Sequence, residues 1–261
     1  PDQENSFVLD ICGEVGGGEV SGLLRDSGSG PVGVFVHGFR SSMFATKAQF
    51  FADHAARRGY DWLRFDLHCH GGQGEPLNNF RVSRAVAELE AVLEMLAGRR
   101  LVLVGSSFGG WLSVLVARQF AERIDGMVLI APAFDFIDHY FAGESPEALT
   151  EWRDAGARTF EGLEDGEVFE LDYDLLPDAR NFRILDRTHD HPFPIHILHG
   201  EADETAPVDL SRRFTGLARN GNVMLEVIEN GDHSLNEHLS RVAAAIDMHM
   251  DKQMTGRSGE R

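Results

Sequence analysis

Short apolar runs alternate along the chain with longer stretches whose apolar residues recur every three or four positions. This is the pattern of an α/β fold with a mostly parallel sheet flanked by helices. Runs rich in branched apolar residues at 32–36, 61–65, 101–105, 127–130, 195–198 and 223–228 predict six buried strands. Two polar-bounded runs ahead of them, 7–11 and 19–25, flank Gly16-Gly17-Gly18 and predict an antiparallel pair joined by a turn. The expected sheet therefore has about eight strands. Val82, Val86, Leu89, Leu93 and Leu96 step by fours and threes, as do Leu235, Leu239, Val242 and Ile246, and both series predict amphipathic helices lying on the sheet. Residues 44–58, stopped by Gly59, and 107–122 are two further helices, and right-handed crossovers put such helices on opposite faces.

The rhythm breaks at 133–194, too long for a simple crossover and without a clear buried strand, which reads as a lid-like insertion. Within 161–174 there are seven acids and no base, yet Phe160, Leu163, Val168, Phe169, Leu171 and Tyr173 give the stretch too much apolar character for disorder. Its charges read as a solvated lid face. Residues after 251 form a polar tail. With 261 residues and 43% hydrophobic content, the expectation is one domain spanning 1–261.

Charge narrows the partners. Against 24 basic residues stand 42 acidic ones, a formal charge of -18 that repels phosphate backbones and anionic membrane surfaces, so neither nucleic acid nor membrane is an expected partner. The acidity itself reads as solubility. Two cysteines, Cys12 and Cys69, make no disulfide framework, although one bridge between them stays open. The first residues lack the positive and apolar regions of a signal peptide, and no apolar run nears the ~20 residues of a membrane span, so a soluble, cytoplasmic protein is expected.

Gly105-Ser106-Ser107-Phe108-Gly109 has the G-x-S-x-G form, directly after an apolar strand and before a helix. That context matters because a nucleophilic serine on a sharp strand-to-helix turn needs small neighbours two positions away on each side. The helix that starts there aims its N-terminal N–H groups and positive dipole end at charge developing in the reaction. A serine alcohol needs a base, and the base needs an acid to hold its tautomer. His233, in the loop between the last strand and the last helix, is the best placed of twelve histidines. Asp203, just past the carboxyl end of the 195–198 strand, is the candidate acid. Glu201, Glu204 and Asp135 are rivals by position that read more simply as loop charges, and Asp232 reads as a cap of the last helix or a solvated acid.

An oxyanion hole needs backbone N–H groups aimed at the tetrahedral intermediate, each worth about 10²–10³-fold. Phe108 supplies one expected donor and Phe39, in His37-Gly38-Phe39-Arg40, the other. His37 reads as a packed loop histidine. Arg40 either meets a substrate carboxylate or points into water, water being the simpler reading. Phe134, Phe136, Tyr140, Phe141 and Trp152 either line an acyl pocket or form the lid's own core. Phe134, Phe136, Tyr140 and Arg40 are the candidate substrate contacts. His68-Cys69-His70 invites a metal, but no second pair is spaced to complete a site, with His189 and His191 the nearest candidates, so no metal is assigned. Trp111 and Phe120 read as core.

Taken together, His37-Gly38-Phe39, the stretch from Gly105 to Trp111, His199-Gly200 with Asp203, and Gly231-Asp232-His233 resemble the α/β-hydrolase family. More narrowly, the chain is similar to bacterial relatives of the palmitoyl-protein thioesterase and acyl-glucuronide esterase type, from about residue 32 to 246. The resemblance implies a Ser107–His233–Asp203 triad, Phe39 and Phe108 as oxyanion donors, no cofactor, and a small-molecule acyl ester or thioester as substrate. Leu67-His68-Cys69-His70-Gly71-Gly72 departs from the glycine-and-serine turn of that type, and specificity on this fold lies in the insertion, so the reaction class transfers better than the substrate. Carbon–carbon bond hydrolysis or perhydrolysis on the same triad, and a non-catalytic binding module, are the competing readings.

Overall fold

The structure, a computed structural model, describes residues 4–11, 18–28, 30–72, 75–161 and 168–255. Cys12, Gly16 and Gly17 of the expected turn, residues 162–167 of the acidic stretch and the tail beyond 255 lie outside the described residues. Eight of the described strands are β1 (Asn5–Ile11), β2 (Gly18–Arg25), β3 (Val32–Val36), β4 (Asp61–Phe65), β5 (Leu101–Ser106), β6 (Ile124–Ile130), β7 (Ala157–Glu161) and β8 (Val168–Asp172); β9 (Ile195–Gly200) and β10 (Val223–Ile228) follow. All but β7 and β8 form one sheet in the order β1-β2-β4-β3-β5-β6-β9-β10. β1, β2 and β4 pair antiparallel, and every pairing from β4 through β10 is parallel.

Strand geometry explains why runs that are apolar throughout make two cores rather than one. Successive side chains leave opposite faces of a sheet. Val34, Leu103, Leu129 and Ile197 therefore enter one cluster, under α2 (Val82–Met95) and α3 (Phe108–Ala117), preceded in the chain by α1 (Thr46–Arg58). Their neighbours Phe35, Val104, Val128 and Leu198 enter the other, shared with Phe51 of α1 and with Val242 and Ile246. α1 ends where expected, on Gly59 at φ 73°, whose N–H closes back on the carbonyls of Ala55 and Ala56.

Residues 133–194 carry α4 (Phe136–Tyr140), α5 (Pro146–Ala155), α6 (Leu175–Arg180) and the antiparallel, mostly half-buried pair β7–β8. This region has its own aromatic core. Trp152 is buried against Phe141, Phe160 and Tyr173, and its Nε1–H donates to the Leu171 carbonyl at 2.9 Å. An ion pair of Arg81 with Asp172 and the Ser83 N–H on the Asp178 carboxylate tie it to the start of α2.

Three elements depart from the sequence pattern. α3, expected over 107–122, ends at Ala117. α7 (Val208–Leu217) has only Val208, Ser211 and Phe214 buried, too thin an apolar stripe to stand out beside the other helices. The final helix, α8 (Leu239–Thr255), starts later than Leu235, because residues 236–238 form a tighter 3₁₀ turn. Asp232 does not cap the helix but accepts from the Leu235 N–H and the Ser234 hydroxyl just ahead of that turn. Among the described residues no helix is long and apolar enough to cross a membrane.

Several buried histidines lie in loops and at strand ends. Burial, with a neighbouring imidazole in each case, pushes His70 down to about 3 and His191 down to about 4, and burial also lowers His37, His189 and His196 from the ordinary 6.5. Above pH 6.5 these rings are neutral in both folded and unfolded chains. Below it the unfolded chain takes up protons that the folded one refuses, so stability present above pH 6.5 is lost as the pH falls toward 4 and 3. Chemical denaturation in buffers stepped from pH 7.5 to 4.5 should show a progressive fall in unfolding free energy; a flat profile would mean the rings are solvated.

Candidate active site

β5 runs straight into α3 with Ser107 at the corner, at φ 54° and ψ −119°. A non-glycine residue in that region is strained by about 1–3 kcal/mol and persists only where its surroundings hold it. Here the Ser107 N–H donates to the Ile130 carbonyl at 2.8 Å, and the Ser107 carbonyl accepts from Gly110 and Ala133. A Cβ on Gly109 would lie 2.1 Å from the Val36 carbonyl oxygen, so only glycine lets α3 settle against the end of β3.

The carboxyl ends of the parallel strands bring the other candidates to the same edge of the sheet. Past β9, the N–H groups of Glu201 and Ala202 donate to the carbonyls of Ile228 at the end of β10 and Gly231 in the loop after it, which draws the two loops together. His233 then lies between its partners, with Nδ1 2.7 Å from Asp203 Oδ2 and Nε2 3.0 Å from Ser107 Oγ. A carboxylate can only accept, so Nδ1 carries the proton and Nε2 is free to receive that of the hydroxyl.

Asp203 is buried, which opposes its charge, yet hydrogen bonds from His199, His233 and the Ala206 N–H outweigh burial and hold its carboxyl well below the usual carboxylate range. Oδ1 takes the Thr205 and Ala206 N–H groups, and Oδ2 faces His199 Nε2 at 3.1 Å as well as His233. The motif around His199 and Gly200 assigns His199 no role of its own. Its Nε2–H also meets the Ala206 carbonyl at 2.7 Å while Nδ1 lies 2.8 Å from the Ser211 hydroxyl, so a fully buried imidazole orients the carboxylate. The rivals are placed otherwise. Glu201 and Glu204 are exposed, and Asp135 accepts the N–H groups of Ile184 and Leu185, pinning the end of the lid.

Ser107 and His233 open into a cavity of about 330 Å³, walled by Phe39, Phe108, Phe136, Tyr140, Phe141, Phe169 and Leu171, with Arg40, Glu161 and Thr205 as polar members. The Phe108 N–H occupies the first helical position, where no intrahelical acceptor exists. Gly38 brings the neighbouring loop close: a Cβ there would sit 3.2 Å from that of Ser107. His37 is buried, with Nδ1 2.8 Å from the Gly38 carbonyl and Nε2 accepting the Leu67 N–H.

One candidate contact needs correction. Phe134 is fully buried, stacked on Phe214 of α7 with centroids 4.3 Å apart, and does not line the cavity. Only Asp135 separates it from Phe136, the first residue of α4, and the left-handed backbone of Asp135 turns the two rings to opposite sides. Arg40 does line the cavity, and it is half-buried rather than simply solvated, with its guanidinium 4.4 Å from the ring centroid of Phe169 in β8. Phe169 and Glu161, which the sequence offered only as part of an acidic lid face, are in the wall.

The side chains around His68 are bonded to one another. His68 Nδ1 lies 3.0 Å from Glu88, its Nε2 accepts the Arg81 N–H, and Arg84 bridges Glu88 and Glu75. Cys69 is a free thiol beside Glu75, pushed up to about 12 by burial and nearby carboxylates. Among the described residues no three His, Cys, Asp or Glu side chains converge on a metal position. His189 and His191 pack with Phe214 rather than with His68 and His70.

The profile of the alpha/beta hydrolase family matches residues 34–245, most of the chain. The chain belongs to that family. Over 235 residues this α/β hydrolase is 26% identical to mitochondrial palmitoyl-protein thioesterase ABHD10 of Bos taurus, covering 88% of this chain and 76% of that protein. A solved protein of Agrobacterium vitis S4 superposes with a TM-score of 0.89 at 27% identity, covering 95% of this chain and 99% of its own. Est1E of Butyrivibrio proteoclasticus, solved with ferulic acid bound, shares the fold with a TM-score of 0.78 at 20% identity, covering 95% and 99% of the two chains.

Truncating the two phenylalanines should separate core from wall. Phe134→Ala should cost about 3–5 kcal/mol of stability in denaturant titrations while leaving the order of preference among acyl substrates intact. Phe136→Ala should cost less stability and change that order.

Proposed function

We propose that this α/β hydrolase cleaves carboxylic esters or thioesters through an acyl-enzyme on Ser107. The observation that carries the reading is the unbroken hydrogen-bond relay from Ser107 Oγ through His233 to Asp203 at the floor of a largely apolar cavity. His233 Nε2 takes the hydroxyl proton as Oγ attacks the acyl carbon, and Asp203 stabilises the imidazolium that forms. The N–H groups of Phe39 and Phe108 receive the oxyanion. Collapse of the tetrahedral intermediate expels the alcohol or thiol, which leaves with the proton from His233. Water then repeats the sequence in reverse roles and frees the carboxylic acid.

Aromatic and aliphatic walls suit the acyl side of such a substrate. A volume near the lower end of the range for small-molecule sites favours short or medium acyl groups, or the first part of a longer chain. The name of the Bos taurus relative, a palmitoyl-protein thioesterase, supports thioesters as substrates here too.

Initial rates on p-nitrophenyl esters from two to sixteen carbons and on matching thioesters test the reading directly. A chain-length optimum is expected, and Ser107→Ala should lower turnover by at least ~10³-fold in protein whose circular dichroism matches wild type. Near-normal turnover in that folded variant would remove Ser107 from the mechanism.

A further inference from the structure

Lys47 stands in the first turn of α1, yet its Nζ reaches the loop after β10 and donates to the Ser234 carbonyl at 2.6 Å, across 187 positions of sequence. That carbonyl belongs to the residue directly after His233. The ammonium is largely withdrawn from solvent: burial pushes its pKa down, while Asp232 and Asp203 pull it back up. A cation withdrawn from water is costly unless it is bonded and paired, so its place calls for an explanation beyond solubility.

The chain leading into α1 makes this contact consequential. Consecutive turns run from the candidate oxyanion loop to the helix: Ser41 N–H to the Gly38 carbonyl, Ala45 N–H to the Ser42 carbonyl, Gln49 N–H to the Ala45 carbonyl. Lys47 thus joins the element continuous with Phe39 to the loop that carries the base. Behind the oxyanion loop it borders a second cavity of about 150 Å³ with His37, Gly38, Ser41, Ser106 and Asn236. That space lets the side chain be shortened or exchanged without overpacking.

We infer that Lys47 is a positioning residue for the reaction, bracing the His233 loop against the helix that follows the oxyanion loop. It touches neither substrate nor the reacting atoms. It keeps His233 Nε2 within hydrogen-bond reach of Ser107 while the base gains and loses its proton, and keeps the Phe39 loop in a fixed relation to both. The inference rests on the hydrolase reading proposed above.

The test compares Lys47→Met, which removes donor and charge, with Lys47→Arg, which retains both. kcat and KM are measured per active site titrated with a fluorophosphonate, alongside the rate at which that probe labels Ser107. Misplacing a catalytic group by about 1 Å costs up to ~10²-fold, so Lys47→Met should lose about 10- to 100-fold in per-site kcat with KM little changed. Labelling should slow in parallel, and Lys47→Arg should recover most of both. Should Lys47→Met fail to fold, Lys47→Gln, with a shorter donor, is read in its place and should fall between wild type and the full loss. Per-site kcat and labelling equal to wild type, with only the number of titratable sites reduced, would make Lys47 a purely structural residue and overturn the inference. A wild-type enzyme that neither turns over esters nor labels at Ser107 would instead sink the hydrolase reading itself, and the role of Lys47 with it.

Discussion

The left-handed backbone at Ser107 is the constraint on which the rest of the site depends. Its cost is about 1–3 kcal/mol, and it is borne by bonds that come from three directions: Ile130 at the end of β6, Gly110 in the first turn of α3 and Ala133 beyond β6. The strain lifts the hydroxyl out of the sheet edge and stands it in the cavity. It also sets what may neighbour it, since α3 must settle against Val36 through Gly109. β3 therefore has to lie beside β5, and the loop after β3 is delivered next to Ser107 by the same adjacency. Parallel pairing from β4 to β10 then puts the carboxyl ends of the strands on one edge, where Phe39, Asp203 and His233 also emerge.

Electrostatics in the site are arranged by hydrogen bonds rather than by exposure. Asp203 is sequestered, and burial alone would favour its protonated form. Two backbone N–H groups and two imidazoles reverse that preference, and the carboxylate that results fixes the His233 tautomer. His199 is the less visible half of this arrangement. Held by Ser211 and Ala206, it allows Asp203 one orientation, toward His233. Burial lowers His37, His70 and His191 as well, so part of the stability of the fold is lost as the unfolded chain takes up protons that these rings refuse in the folded one.

The lid and the cavity share one set of aromatic rings. Phe141 touches Trp152 and Phe160 in the lid core and also lines the cavity, and Phe39 reaches Phe136 and Phe169 across the gap. By their pattern in the sequence these residues fit either a pocket wall or a lid core. The rings divide between them: Phe136, Tyr140 and Phe141 face the cavity, Trp152 faces only the lid, and Phe134 belongs to the contact with α7. Arg40 lies beneath β8, so the lid covers a cation adjoining the oxyanion loop.

What could be read from the chain alone was whatever local chemistry dictates. Branched apolar runs must be buried on both faces, which placed β3 to β6 and β9 to within a few residues, whereas β10, read as a buried strand, lies at the sheet edge with only Ile228 buried, and the glycines around Ser107 mark a turn that tolerates no Cβ. The order of Ser107, Asp203 and His233 along the chain pointed to residues that the tertiary structure then brought within hydrogen-bond distance. Contacts between residues far apart in sequence left no local trace. Nothing in the neighbourhood of Lys47 announces Ser234, and a charge in an exposed-looking first helical turn is indistinguishable from a solvated one until the loop packs beside it. The sides chosen by Phe134 and Phe136 were equally hidden, because a left-handed residue between two aromatic positions cancels the periodicity by which faces are inferred. Local pattern settles which residues must be buried; only the packing of distant segments settles against what.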